Sequence, residues 1–235
     1  MRLPAPDYET SSLLREALLR SHEVVKNFPY TATAITESTM TLADGNRMVN
    51  KKTSLLARDS EGRTRREETL GEIGLMPVKG THIVLISDPT ERIDYVLYPE
   101  RKVMQQLKHR ENEISVQAKG GWTGKEEKPK YLGTVKEETL GTQVIEGITC
   151  TGTRLVQTIP AGMIGNEKEM VLTAESWVSR DLHLLVLRKR RNALSGETVY
   201  RLTNINRGEP DASLFQVPTD YKLEVLHPEG WRREK

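Results

Sequence analysis

Short apolar runs follow one another along this chain, some alternating with polar residues and some continuous, and turn residues cut them apart. Asp44-Gly45, Ser60-Glu61-Gly62, Asp88-Pro89, Tyr98-Pro99-Glu100, Gly165-Asn166 and Ser195-Gly196 each separate stretches rich in Thr, Val, Ile, Leu or Tyr. Glycine relieves the steric penalty of positive φ, proline presets a turn φ, and Asp or Asn bonds its own backbone. Runs punctuated in this way pair with their neighbours through short hairpins, which predicts an antiparallel meander. Strands are predicted at 31–42, 47–58, 63–70, 81–87, 93–98 and 101–107, and again at 131–139, 143–146, 148–159, 170–179, 182–191 and 197–207.

The pattern within each run assigns its surroundings. The first three strands carry Thr, Glu, Lys and Arg along both faces and suit a wet or edge position. Ile83-Val84-Leu85-Ile86 is continuous and reads as central. Leu182, Leu184 and Val186 share one face of their strand, as do Ile93, Tyr95 and Leu97. Residues 108–130 are polar and Gly-rich and predict a mobile loop. Asp211-Ala212-Ser213-Leu214-Phe215 predicts a short helical turn, with an extended end through Tyr221 and Leu223.

A different period governs the N-terminal region. Leu13, Leu14, Ala17, Leu18, Val24 and Val25 recur at three- and four-residue steps, which predicts an amphipathic helix over 7–27. Asp7 after Pro6 suits its start, and Pro29 disfavours helix at Phe28. Its polar face mixes acids and bases, which favours packing on a sheet over lying on a membrane. The expected fold is therefore α+β and mostly β: one domain, a single curved antiparallel sheet over 31–107 and 131–225 packed on the N-terminal helix.

Composition sharpens the class. At 235 residues the chain can bury a core in one domain. Charged residues make up 29%, and no apolar run approaches the roughly 18 residues that cross a bilayer. Only 2 Phe and 3 Trp are present, so the core depends on Leu, Val, Ile and Tyr. The net charge of +2 offers no general attraction to nucleic acid, and no nucleic-acid partner is expected. Met1-Arg2-Leu3-Pro4-Ala5-Pro6 carries no secretory h-region. Either the protein stays in the cytoplasm or a leader has been exchanged for an initiating Met.

Catalytic signatures fail residue by residue. His22-Glu23-Val24-Val25-Lys26 begins like a zinc-protease helix, but Lys26 stands where the second His must be. Gly121-Trp122-Thr123-Gly124-Lys125 lacks the leading Gly of a phosphate loop, and Glu126 replaces its Ser or Thr. Ser60 lies in a hairpin and lacks the first Gly of a nucleophile elbow. His22, His82, His109, His183 and His227 have no ligand spacing, and the pairs Glu67/Glu68 and Glu137/Glu138 point to opposite strand faces. Cys150 is the single cysteine and reads as a small packed hydrophobe. No enzyme activity, metal or cofactor is expected. Two basic clusters, Arg63-Thr64-Arg65-Arg66 and Arg188-Lys189-Arg190-Arg191, offer charge that could grip phosphate, a headgroup or RNA. Glu67-Glu68 follows the first directly and the net charge is small, so they read as solvated strand faces with cross-strand ion pairs. The near-repeat of Arg66-Glu67-Glu68-Thr69-Leu70-Gly71 as Lys136-Glu137-Glu138-Thr139-Leu140-Gly141 has flanks that do not continue the match.

Longer phrases carry a resemblance. Arg58-Asp59-Ser60-Glu61-Gly62-Arg63-Thr64-Arg65-Arg66-Glu67, Ile86-Ser87-Asp88-Pro89 and Tyr95-Val96-Leu97-Tyr98-Pro99 are three of them. Glu175-Ser176-Trp177-Val178-Ser179, Leu202-Thr203-Asn204-Ile205 and Leu214-Phe215-Gln216-Val217-Pro218 follow, with Ser195-Gly196-Glu197-Thr198 and Tyr221. Over residues 28–225 they resemble an uncharacterised family of exported bacterial proteins, distantly similar to the periplasmic lipoprotein-carrier (LolA/LolB-like) fold. The resemblance implies an unclosed antiparallel half-barrel wrapped over helix, a periplasmic or envelope location, and no known enzyme activity. On that footing the chain is expected to bind a lipid, an acylated protein or another apolar ligand between sheet and helix. Tyr95, Trp177, Leu14 and Leu18 are the candidate ligand residues. The alternative is an envelope protein-interaction or sensor module that presents the polar strands at 31–70 as an edge to a partner.

Overall fold

The computed structural model describes residues 24–42, 44–70, 80–108, 133–192 and 196–224. Among these residues the chain is almost entirely β. The strands are β1 (Tyr30–Thr41), β2 (Arg47–Arg58), β3 (Thr64–Leu70), β4 (Thr81–Asp88), β5 (Ile93–Tyr98), β6 (Val103–Lys108), β7 (Thr134–Ile145), β8 (Ile148–Ile159), β9 (Met170–Ser179), β10 (Leu184–Asn192), β11 (Gly196–Asn206) and β12 (Lys222–Leu223). They form one twelve-stranded sheet in the order β12-β6-β5-β4-β3-β2-β1-β11-β10-β9-β8-β7, with β12 and β7 at its ends.

Turn chemistry explains the segmentation. Asp44 accepts from the Asn46 amide at 2.9 Å, and Asp88 accepts from the amides of Thr90 and Glu91 at 2.9 and 3.0 Å. Between β7 and β8, Glu146 and Gly147 both adopt positive φ, 51° and 74°, as a two-residue hairpin requires. Gly196, at φ 80°, opens β11 where an added Cβ would strike the carbonyl oxygen of Thr39.

Four expectations need correction. The helix predicted over 7–27 is not supported: 7–23 lie outside the described residues, and 24–27 are not helical, Asn27 having φ 64°. Hydrogen bonding fixes the chain there instead, because the Asn27 amide donates to the Ser60 carbonyl at 2.9 Å. The polar strands β1, β2 and β3 are interior to the sheet order. Their polar groups find partners across and along the strands, as when the Ser38 and Thr198 hydroxyls meet at 3.2 Å. The two strands predicted at 131–139 and 143–146 are one, β7, since a bulge between Thr139 and Gly141, with Gly141 at φ 79°, absorbs the break. Finally, the pairing is not wholly antiparallel: β12 runs parallel to β6. The predicted loop at 108–130 falls, apart from Lys108, outside the described residues.

Contacts gather the chain into two units. The first comprises 1–30, 55–110 and 207–235. Here β4 is buried on both faces. Val84 and Ile86 join Ala57, Leu97 and Phe215 in one cluster, while Ile83 and Leu85 join Val96 and Tyr98 in another. Phe215 reaches its cluster from the 3-10 turn Ala212–Phe215, which Asp211 caps by accepting from the Ser213 amide at 2.9 Å. The returning chain is then held on β6. The Lys222 and Glu224 amides donate to the carbonyls of Lys102 and Met104 at 2.9 and 2.8 Å. Lys102 pairs with Asp220 at 2.7 Å and Arg101 with Glu224 at 2.8 Å.

The β2–β3 turn organises the same unit. Asp59, 2% exposed, accepts from the amides of Glu61 and Arg63 and from the Arg63 guanidinium at 2.6 Å. That guanidinium lies 5.3 Å from the centre of the Phe215 ring. Arg65 pairs with Glu67 and Arg66 with Glu68, each at 2.7 Å. In the first basic cluster Arg63 is thus paired within the turn and Arg65 and Arg66 two residues along their own strand, not across strands as expected.

The second unit comprises 31–54 and 111–206, and contains most of β1, the first part of β2, and β7 to β11. Ala32, Ala34, Ile148, Cys150, Trp177, Leu184, Val186 and Leu202 are buried there. The Cys150 thiol donates to the Ile148 carbonyl at 3.5 Å, and burial pushes its pKa up, as suits a packed and unreactive side chain.

Candidate functional site

Within the second unit, register brings distant residues onto one face. Residues directly opposite across antiparallel strands project to the same side of a sheet. One such row runs Glu137, Leu155, Ala174, Arg190, Thr198 and Ser38, through β7, β8, β9, β10, β11 and β1. The next row places Val135 opposite Gln157 and Gln157 opposite Leu172. Above these rows lies a half-open cleft of about 430 Å³, whose apolar lining comes from Val135, Leu155, Leu172 and Ala174. The small side chains of Ala174 and Thr198 and the bare Gly196 leave the space that larger residues would fill. The volume lies within the range of about 300–1,000 Å³ typical of small-molecule sites.

The opposite face is chemically different. Glu138, Arg154 and Glu175 stand opposite one another on β7, β8 and β9. Arg154 reaches Glu175 at 3.1 Å and Glu138 at 3.7 Å, and Lys136 joins Glu138 at 3.0 Å. Trp177 Nε1 donates to Glu175 at 2.7 Å. That bond, together with Arg154, holds the Glu175 carboxyl below its ordinary value against the opposing effect of burial. Hydrogen bonding and charge from Lys136, with Arg154 beside it, likewise lower Glu138. One face is therefore an ion-pair ladder and the other an apolar hollow.

The second basic cluster divides between these faces, as a strand must divide consecutive residues. Arg191 pairs with Glu197 directly across β11 at 2.8 Å. Arg188 donates from Nε to the Ser176 hydroxyl at 3.1 Å. Arg190 lines the cleft and stands between Ala174 and Thr198, neither of them an acid.

The candidate ligand residues fall elsewhere. Tyr95 is half-buried on β5 in the first unit, packed against the cluster of Ala57, Val84, Ile86, Leu97 and Phe215. Trp177, 6% exposed, belongs to the second unit and faces the ion-pair ladder, not the cleft. Leu14 and Leu18 lie outside the described residues. Leu155, Leu172, Ala174 and Arg190 were not singled out from the sequence as ligand residues. Arg190 was visible only as a member of a basic cluster, and the strand pattern around the other three does not say which strands are neighbours.

Other chemistry is sparse. His82 Nε2 lies 2.9 Å from Glu67, whose carboxyl burial would raise but Arg65 and His82 together hold below its usual range. Among the described residues no group of three His, Cys, Asp or Glu is placed to hold a metal ion. No helix among them is long and apolar enough to cross a membrane.

No protein-family model matches the chain, and no curated protein matches it. Solved structures do. An uncharacterised conserved protein from Thermus thermophilus is 8% identical, with 92% of this chain and 99% of that one covered at a TM-score of 0.45. The MucA/MucB complex of Pseudomonas aeruginosa gives 10% identity over 92% of this chain and 64% of that one, at 0.44. A LolA superfamily protein from Nitrosomonas europaea gives 10% identity over 86% and 96%, at 0.34. These similarities concern the fold and extend to no ligand or activity.

Proposed function

We propose that this protein is a non-enzymatic component of the bacterial cell envelope, with a lipoprotein-carrier-like scaffold, that holds the acyl chain of a lipid or acylated protein. The cleft on the second unit carries this reading: Val135, Leu155, Leu172 and Ala174 line a space of about 430 Å³ that nothing among the described residues fills. Each methylene withdrawn from water there contributes about 0.8 kcal/mol, so roughly eight of them supply about 6 kcal/mol before the cost of immobilising the ligand. The reading needs no catalytic group, because the ligand is carried and not changed.

Native mass spectrometry of the protein purified without detergent tests it, together with displacement of a fluorescent fatty acid by unlabelled lipid. A mass excess matching a lipid, lost on organic extraction, is the expected result. Absence of any bound species combined with no uptake of the fluorescent acid would sink the reading.

One observation favours a second reading, a protein-interaction or sensor module of the envelope. β7 ends the sheet order and runs for twelve residues with Val144 70% exposed. Among the described residues no strand lies beyond it, and an edge of that length accepts an added strand. This reading uses β7 in place of the strands at 31–70, which are interior to the sheet order. A partner captured from envelope extract that slows hydrogen exchange at β7 amides would establish it.

A further inference from the structure

We infer that the cleft of the second unit selects anionic amphiphiles, with Arg190 receiving the carboxylate or phosphate headgroup while the chain lies on Leu155, Leu172 and Val135. The inference rests on the acyl-binding reading and adds to it a headgroup charge and the residue that reads it. It starts from an asymmetry between the two faces. On the ladder face Arg154 has Glu138 and Glu175, and Arg191, which also borders the cleft, has Glu197. On the cleft face the cross-strand neighbours of Arg190 are Ala174 and Thr198. The carboxylate on its row, Glu137, stands at the far end beyond Ala174 and Leu155, three strand spacings or about 14 Å away. At that separation the intervening solvent screens it.

A guanidinium at the rim of an apolar hollow is complementary to one class of molecule. Its planar fork takes the two oxygens of a carboxylate or phosphate in parallel, which a neutral alcohol cannot match. The apolar lining beside it takes a hydrocarbon chain. Thr198, next to Arg190 in the row and also lining the cleft, can turn its hydroxyl proton to the same headgroup while accepting from Ser38 at 3.2 Å. A small inorganic anion would satisfy the arginine and leave the lining wet. A neutral chain would fill the lining and leave the arginine without a counter-charge. An anionic amphiphile satisfies both.

Isothermal titration calorimetry on the full chain tests this with dodecanoate, dodecyl phosphate, dodecanol and inorganic phosphate, the amphiphiles held below their micelle concentrations. Dodecanoate or dodecyl phosphate is expected to bind about tenfold tighter than dodecanol, and inorganic phosphate not measurably. The stronger of the two anions identifies the headgroup chemistry. Arg190→Ala, a change at an exposed and therefore structurally tolerant position, should bring the anions down to the level of dodecanol and leave dodecanol unchanged. Equal binding of dodecanol and both anions, or anion binding that ignores Arg190→Ala, would overturn the headgroup inference and leave the acyl site standing. No binding of any twelve-carbon chain would overturn the acyl site and this inference with it. Tight binding of inorganic phosphate alone would show a simple anion site and defeat the amphiphile.

Discussion

Gly152 lies directly beneath the indole of Trp177: a Cβ added at residue 152 would stand 2.6 to 2.7 Å from three atoms of the ring. The two residues face each other across β8 and β9. The missing side chain lets the ring lie down on the sheet, where its Nε1 reaches Glu175. Gly152→Ala must lift the indole or bend the strand, and such overpacking costs about 1–3 kcal/mol. Denaturant unfolding should show that loss, with a changed emission from Trp177 in the folded state. A variant as stable as the parent would mean that the ring does not rest on this glycine.

The same ring makes stability depend on pH. Trp177 and Arg154 hold the Glu175 carboxyl below its ordinary value of 4.5. Its contribution is therefore complete above that ordinary value and is lost as the pH falls through the lowered, folded-state value. Glu175→Gln should cost about 1 kcal/mol at neutral pH, and the difference from wild type should shrink toward zero in acid. Thermal melts at about pH 7 and pH 3 check it. A constant difference across that range would show that the charge of Glu175 is not what matters.

Phe215 is 6% exposed and is the buried residue that the C-terminal segment places in the cluster of Ala57, Val84, Ile86 and Leu97, with Leu214, Val217 and Tyr221 packed against it. Phe215→Ala should cost about 3–5 kcal/mol. The amides of Lys222 and Glu224, bonded to β6, should then exchange faster, because the turn that delivers β12 has lost its anchor. Unchanged exchange at those amides would show that β12 docks on its own.

Asp59 binds the β2–β3 turn from within. Asp59→Asn keeps an oxygen for the backbone amides but removes the charge opposite Arg63, whose guanidinium it meets at 2.6 Å. A loss of about 2 kcal/mol is expected. Asp59→Ala should cost more, since the Glu61 and Arg63 amides lose their acceptor as well. Equal stability of the two variants would assign the whole effect to the ion pair.

What the sequence determined by itself was local. Turn residues carry their own mechanism, so Asp44-Gly45, Asp88-Pro89 and Gly165-Asn166 cut the chain where the strands do end, and β2, β5, β8 and β9 are read to the residue. A continuous apolar run such as Ile83-Val84-Leu85-Ile86 can only be satisfied with both faces covered, and it is. Asp211 before Ala212 likewise announces its turn.

Only tertiary structure decided which strands are neighbours. Polarity in β1 to β3 reports a wet face and says nothing about position in the sheet, so of the wet or edge position expected, the edge is overturned by an order that puts them inside. The cleft depends wholly on register: Leu155, Ala174 and Arg190 are far apart in sequence and adjacent only because β8, β9 and β10 pair as they do. Shifting one strand by a single residue would turn its side chains to the other face and exchange hollow for ladder. Long-range pairing is a property of the folded chain as a whole, and no local pattern encodes it.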